Sequence, residues 1–273
     1  MLCFPNAKIN IGLNIVERRN DEFHNIETLF YPISLSDILE VVVNENTTTL
    51  KCGLNITGQS IPGEPESNLC VKAYHLLDKA FGLPPVTIHL HKLIPMGAGL
   101  GGGSSDGAYT LTTLNRKFNL GLTVQQLCDY AAQLGSDCAF FIENKPALGT
   151  EKGNILQKRP VNLADHYIVL VKPDIFVGTA EAYAGVKPAK TANSIDQLIK
   201  LPVKEWKSLI ANDFEKSVFA KHPEIEKIKD LLYISGAEYA SMSGSGSSVY
   251  GIFDGEVNLK ASFGGMFYWG GWL

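Results

Sequence analysis

The sequence predicts a mixed α/β chain of 273 residues, and three observations carry that prediction. Ala7 to Val16 alternates Ile9, Ile11, Leu13 and Ile15 against Lys8, Asn10, Gly12 and Asn14, the period of a half-buried strand. Val86 to His91 alternates in the same way, and a glycine-rich run then leads into a helical pattern with Ala108, Leu111 and Leu114 on one side. Beyond residue 166 the chain reads strand, then helices, then strands again: Tyr167 to Val171, helices within 194–232, and Ala237 to Met242 with Ser247 to Phe253. This length accommodates one large domain or two smaller ones.

Composition narrows the class. Hydrophobic residues make up 45% and charged residues 19%, which suits a soluble globular protein. The net charge of −4 offers no general basic field, so no nucleic-acid partner is expected, and an anionic ligand must be held by local cations and backbone dipoles. The five cysteines are scattered without a CxxC pair, as reduced thiols would be. Met1 to Asn6 lacks the basic and apolar regions of a signal peptide, and no apolar run approaches the ~18 residues of a membrane span. The expectation is a cytoplasmic protein with no membrane partner.

The glycine-rich run is the most informative stretch. Gly97, Gly99, Gly101, Gly102 and Gly103 fall within seven positions between a strand and a helix, and Ser104 and Ser105 follow. Glycines let backbone N–H groups approach a ligand closely, and a helix N-terminus adds unpaired donors and partial positive charge. The serine hydroxyls could cap the helix or bind phosphate oxygens or a metal. The run reads as a phosphate cradle. It satisfies Gly-x-Gly-x-x-Gly, but nothing acidic lies between Asp106 and Asp129, where a dinucleotide site wants its ribose-binding acid. Gly103-Ser104 lacks the intervening lysine of a P-loop, and a helix follows where a protein-kinase loop would need a strand. A flexible turn needs two or three special residues, fewer than stand here.

The other elements follow in order. Glu17 to Glu22 is a charged loop leading to Phe23-His24, and Ile26 to Ile33 and Asp37 to Val43 are rich in β-formers. Thr47 to Thr57 reads as a further hairpin. Ser67 is placed to cap a helix through Phe81, which Gly82 and Pro84 stop. Thr123-Val124-Gln125-Gln126 is a capping box opening a helix to Leu134. Asp137 then stands between Gly135 and the apolar Ala139 to Ile142; it is either a helix cap or a carboxylate awaiting a partner. Small, turn-rich residues from Ala147 to Gly153 suggest a domain boundary nearby. Helices are expected at 194–200, 203–211 and 213–232. Ser243-Gly244-Ser245-Gly246 is a hairpin turn or a second binding loop, and Met266 to Trp269 is a closing strand. Lys8 alone is either a solvated strand residue or part of a site. His89 and His91 share a strand face without a third ligand, so they read as strand surface.

Taken together, Pro5-Asn6-Ala7-Lys8-Ile9-Asn10, the run from Pro95 to Ser105, and Ser243-Gly244-Ser245-Gly246 resemble the three ordered motifs of the GHMP kinases, which include galactokinase, homoserine kinase and mevalonate kinase. Phe23-His24 before Glu27-Thr28-Leu29-Phe30, the string from Met96 to Ser105, and Leu134-Gly135-Ser136-Asp137 strengthen the resemblance to those members that phosphorylate a cytidine diphosphate-linked methylerythritol in non-mevalonate isoprenoid synthesis. The resemblance implies a two-domain α/β (α+β) fold: a ribosomal protein S5 domain 2-like domain over 1–155 and a ferredoxin-like domain over 156–273, with ATP and substrate meeting between them.

Carried over by motif, Asp137 is the catalytic carboxylate and Lys8 its partner. Pro95, Met96, Gly97, Ala98, Gly99, Leu100, Gly101, Gly102, Gly103, Ser104 and Ser105 hold the triphosphate of ATP, with Asn68 and Lys92 near the adenosine. Asn10, Phe23 and His24 hold the cytidine from one side, and Tyr183 stacks from the other with Thr179 nearby. Mg²⁺ is expected with ATP, with no protein ligand assigned, and the chain is expected as a monomer or weak homodimer. Two positions depart from the family pattern: Phe23 replaces the usual tyrosine, and Asp106 stands where a neutral residue is usual. The other readings are a homoserine- or mevalonate-type kinase, or a non-catalytic nucleotide-binding regulator.

Overall fold

The computed structural model describes residues 1–44, 51–61, 63–189 and 193–273. The chain forms two compact units, each discontinuous in sequence: Met1–Ala7, Leu35–Met96 and Gly101–Lys145 make one, and Lys8–Ser34, Gly97–Leu100 and Pro146–Leu273 the other. Residues 155 and 156, where the sequence analysis divides the chain, lie in a strand of the second unit.

The first unit is a four-stranded sheet backed by helices. Its strands are β1 (Leu2–Cys3), β4 (Ile38–Val43), β5 (Cys52–Gly58) and β6 (Val86–Lys92), in the order β1-β4-β6-β5. Strands β5 and β6 run parallel, so a crossover must join them, and α1 (Leu69–Phe81) provides it. The hairpin expected over Thr47 to Thr57 has its first residues, 47–50, outside the described residues; from Cys52 onward the segment is a strand paired in parallel with β6. Helix α1 is capped by Asn68, whose side chain accepts from Cys70 N, and Pro65–Ser67 forms a 3-10 turn. Ser67 is therefore not the cap: its hydroxyl donates to Glu64 O instead. Gly82 ends α1 in the left-handed conformation, where a side chain would be strained. Helices α2 (Gly102–Lys117), α3 (Val124–Leu134) and α4 (Cys138–Glu143) complete the layer, with the Thr123–Gln126 capping box formed. Leu39, Val41, Ile88 and Leu90 from the sheet meet Tyr74, Leu77, Leu111 and Leu114 from the helices in one core.

The second unit holds two sheets. One has the order β2-β3-β7-β8, from β2 (Asn6–Arg18), β3 (His24–Ser36), β7 (Ala147–Thr150) and β8 (Ile155–Lys158). The turn-rich stretch after Ala147 is thus a hairpin, with Glu151 and Gly153 at positive φ in its loop. The other sheet is antiparallel throughout, in the order β10-β11-β9-β12, from β9 (Tyr167–Lys172), β10 (Tyr239–Met242), β11 (Val249–Phe253) and β12 (Phe267–Trp272). Its core joins Val169, Val171 and Val249 to Phe214, Val218, Ile225 and Leu232. Val218 lies in α7 (Glu215–Lys221), with Phe214 at its N-cap, and Ile225 and Leu232 lie in α8 (Pro223–Ile234), while α5 (Thr179–Ala184) and α6 (Ile195–Leu198) precede them. One helix over 213–232 was expected, but Pro223 has no N–H to continue a helix and pushes His222 out of helical geometry. The segment expected as a helix over 203–211 is a 3-10 turn, Val203–Ser208. Among the described residues no helix is long and apolar enough to cross a membrane.

Candidate active site

In the first unit, β6 alternates inward with Val86, Ile88, Leu90 and then Lys92. The strand's own period therefore drives an ammonium into the interior, where it is only 1% exposed. A buried cation needs partners, and Lys92 Nζ has two carboxylates: Asp37, and Asp106 at 2.7 Å. Burial opposes the Lys92 charge, yet Asp106 and Asp37 outweigh it and hold the amine above its ordinary value. Asp37 also accepts from Leu93 N at 2.6 Å and Ile94 N at 2.8 Å, the residues immediately before the glycine run.

Asp106 is in a different position. It accepts from Lys92 through Oδ2, whereas its buried Oδ1 has no hydrogen-bond partner. Burial pushes its carboxyl up to about 7, with Lys92 pulling the other way and Asp37 adding to the rise. The departure from the family pattern at this position is thus an interior ion-pair partner for Lys92.

The glycine run passes directly into α2, whose first residues are Gly102, Gly103 and Ser104. Apolar spacing puts the start of this helix at Ala108, but it begins six residues earlier, with Gly101 at the cap in left-handed geometry and no side-chain cap. Neither serine caps the helix. Ser104 bonds toward the Cys138 thiol, and the fully buried Ser105 hydroxyl has no partner. The first-turn N–H groups of α2 have no intrahelical acceptor, which suits an anion. Gly103 is exposed, and a Cβ there would meet no atom within 4 Å. Beside it a cavity of about 280 Å³ is lined by Asn68, Lys92, Met96, Gly103 and Asp106, with Pro65 and Leu69. Asn68 and Lys92, expected at the adenosine, thus line one cavity with the start of α2.

Asp137 immediately precedes α4 and is half-buried, but its side chain makes no capping hydrogen bond. Capping therefore does not account for it. Ser136 Oγ approaches its Oδ1 at 3.5 Å.

In the second unit, β2 is buried on both faces from Lys8 to Ile15, where the sequence pattern gave a half-buried strand. Lys8 is 4% and Asn10 3% exposed, so the solvated reading of Lys8 is excluded. Lys8 Nζ donates to Asn10 Oδ1 at 2.6 Å and to Gly99 O at 3.1 Å. Asn10 Nδ2 donates to Thr28 Oγ1 at 3.0 Å, and Thr28 donates its one hydroxyl proton to Gly12 O at 2.6 Å. With that proton committed, Thr28 can only accept, so the Asn10 amide must turn its nitrogen to Thr28 and its oxygen to Lys8.

Gly99 is the meeting point. Its carbonyl also receives Ser243 Oγ at 2.9 Å, and Ser243 Oγ accepts from Asn10 N at 3.2 Å. A Cβ on Gly99 would lie 1.8 Å from Ser243 O, and its φ of +74° disfavours any side chain. Gly97 has φ +58°, and a Cβ there would collide with the Phe176 ring. Ser243-Gly244-Ser245-Gly246 is thus more than a hairpin turn, and Ser243 and Thr28 are the members of this network that motif reading undervalued.

The aromatic residues expected at the cytidine divide into two sets. His24 and Tyr183 stack directly, centroids 4.7 Å apart and planes 20° apart, and Tyr183 meets Phe214 edge-on. A base sandwiched between two rings needs centroids roughly 7 Å apart, so a nucleobase entering there must open this pair. Burial, helped by Arg18, lowers the His24 pKa, leaving a neutral ring with one donor and one acceptor at pH 7. Phe23 is 58% exposed and lies under the Lys152 ammonium, 4.8 Å from its centroid. Thr179 is exposed at the start of α5.

The GHMP kinases N terminal domain matches residues 68–145, and the GHMP kinases C terminal domain matches 194–262. The chain belongs to the GHMP kinases, a family of ATP-dependent phosphotransferases. It is 54% identical over 259 residues to a 4-diphosphocytidyl-2-C-methyl-D-erythritol kinase of Bacteroides fragilis, covering 95% of this chain and 94% of the relative. A protein of the same name from Parabacteroides distasonis is 48% identical, with both chains covered in full. A crystal structure of 4-(cytidine 5'-diphospho)-2C-methyl-D-erythritol kinase superposes with a TM-score of 0.78 at 30% identity, covering 92% and 90% of the two chains. The mevalonate kinase of Methanococcus jannaschii shares the fold, with a TM-score of 0.71 at 15% identity over 99% and 97% of the chains.

The Asp106 carboxyl generates a stability prediction. Between its ordinary value of 3.8 and about 7, the folded chain keeps a proton that the unfolded chain has released. Stability attributable to this group therefore falls as pH rises through that window. Urea midpoints of wild type and Asp106→Asn, measured across it, should converge in the variant's favour as pH rises; parallel curves would remove Asp106 from the titration.

Proposed function

We propose that the chain transfers the γ-phosphoryl group of ATP to the 2-hydroxyl of 4-diphosphocytidyl-2-C-methyl-D-erythritol, giving the 2-phosphate, in non-mevalonate isoprenoid precursor synthesis. The observation that carries the reading is the convergence of Lys8 and Ser243 on the Gly99 carbonyl, which ties all three family motifs into one hydrogen-bonded network. The full-length relatives and the 30%-identical crystal structure bear the name of this kinase, which supports the choice of substrate.

Phosphoryl transfer through a loose transition state asks the protein mainly for positioning and charge stabilisation. Pro95 to Ser105 would hold the triphosphate, with the first-turn N–H groups of α2 facing its oxygens. Asn68 and Lys92 line the cavity assigned to the adenosine. Asp137 would accept the proton of the 2-hydroxyl, and Lys8, fixed by Asn10, would stabilise charge developing on that oxygen. His24, Phe23 and Tyr183, with Thr179 and Asn10, are assigned to the cytidine. Missing a buried hydrogen-bond partner penalises a wrong base more than lost stacking does.

Among the described residues no group of three or more His, Cys, Asp or Glu could hold a metal ion, and Asp106 is occupied by Lys92. That donor set fits Mg²⁺ carried by the nucleotide's own phosphates, where it would neutralise their charge.

The test is ADP release from Mg-ATP with the cytidyl alcohol, beside mevalonate and homoserine. Turnover on the cytidyl compound alone is expected; turnover on a control alone would overturn the substrate while keeping the kinase. Asp137→Asn should lower kcat on the order of 10²–10⁴-fold with little change in nucleotide affinity, and near-normal turnover would exclude Asp137 from proton transfer. His24→Ala should raise KM for the cytidyl substrate and leave KM for ATP nearly unchanged. Equal shifts in both would argue against a base-reading role.

A further inference from the structure

One acid of the Lys92 cluster has so far been given no role toward the nucleotide. Asp37 lies between β3 and β4, is fully buried, and carries no motif. Its carboxylate nevertheless makes three hydrogen bonds. Oδ1 accepts from Leu93 N and Ile94 N, and Oδ2 accepts from Lys92 Nζ. The two amides immediately precede the run, which begins at Pro95. The same ammonium bonds Asp106, which sits in the second turn of α2, just past the run's last residue, Ser105. One carboxylate therefore anchors the backbone just before the run directly and, through Lys92, the residue just after it.

We propose that Asp37 is a positioning residue for the nucleotide: it anchors the residues on either side of the phosphate-binding run and aims the Lys92 ammonium at the cavity that Lys92 lines with Asn68, Met96, Gly103 and Asp106. The proposal rests on the reading that this run holds ATP.

The chemistry favours this role over simple packing. A neutral residue of the same shape could accept the two amides, but it would add no second negative charge beside Lys92. Two acids around one ammonium leave one surplus negative charge when both are ionised, and burial then falls hardest on the acid with fewer donors. That acid is Asp106, which receives one hydrogen bond against the three of Asp37. The groups acting on Asp106 are Lys92 from β6, Asp37 from the β3–β4 link, Cys70 from α1 and Cys3 from β1. Both thiols are pushed up by burial and stay uncharged near neutrality. Asp37 is consequently the acid that raises the Asp106 carboxyl, and removing its charge must lower the pH at which Asp106 releases its proton.

The experiment uses the full chain and calorimetric titration with Mg-ATP in the absence of the alcohol. Asp37→Asn and Asp37→Ala should weaken nucleotide binding by about 10–100-fold, the scale of lost hydrogen bonds to a charged group. KM for the alcohol should move much less. The ratio of wild-type to Asp37→Asn affinity, followed across pH, cancels the titration of the ATP phosphates common to both proteins. It should show wild type inflecting near 7 and the variant at lower pH. Asp106→Asn should abolish the inflection. A merely structural Asp37 would not weaken the nucleotide alone. Should Asp37→Ala fail to fold, Asp37→Asn carries the decision. Wild-type nucleotide affinity in Asp37→Asn, or equal losses for nucleotide and alcohol, overturns the proposal. Wild type that binds no nucleotide overturns the underlying reading, and the proposal with it.

Discussion

The carbonyl oxygen of Gly99 is the acceptor on which the second unit's polar interior depends. It takes the Lys8 ammonium and the Ser243 hydroxyl, groups 235 positions apart in sequence. A carbonyl has two lone pairs, and both are used here. The arrangement requires the backbone of residue 99 to lie against that of residue 243, closer than any Cβ permits. Glycine at 99 is thus demanded by packing as well as by its left-handed φ. Lys8 is buried, so its hydrogen bonds are obligatory, and the loop's shape at Gly99 follows from where that ammonium sits.

The first unit meets the same constraint with opposite emphasis. Lys92 reaches the interior because β6 alternates, and the cluster that satisfies it is acidic in excess. A buried ion pair is weak evidence for stability, since desolvation opposes the Coulomb gain. Burial raises the Asp106 carboxyl in the same sense. The cluster is better understood through what it holds in register: the end of β6, the amides of Leu93 and Ile94, and the start of α2. Register of this kind is what a phosphate site needs, because backbone donors bind an anion well only when their geometry is set beforehand.

These two polar clusters mark where the sequence was legible and where it was not. The strand–glycine run–helix at 86–118, the Thr123 capping box and the stop at Gly82 are local, and local chemistry announces them. The alternation of β6 also places Lys92 inward. Asp37 gives no such signal. Its partners are 55 or more residues away, and Ser36-Asp37-Ile38 resembles any strand start. Thr28 is similar, a β-branched strand residue whose hydroxyl acts only through tertiary contacts. The β7–β8 hairpin was hidden because Ala147 to Gly153 is short and rich in turn formers. The break at Pro223 follows from local chemistry, since a proline has no N–H to continue a helix.

Asn10 shows how far motif and structure inform each other. The motif associates Asn10 with substrate, and the structure engages its amide with Lys8 and Thr28. These uses are compatible only within a count of bonds. One amide hydrogen and one lone pair remain, so any ligand contact must be made without turning the group. The Thr28 hydroxyl forbids a flip, because its proton belongs to Gly12. An asparagine locked in this way is a better guide for an ammonium than a freely rotating one. It fixes the Lys8 Nζ position to within a hydrogen bond of both Asn10 and the glycine run. The position of the Lys8 ammonium is therefore set two hydrogen bonds away, by a threonine whose own proton is held by Gly12.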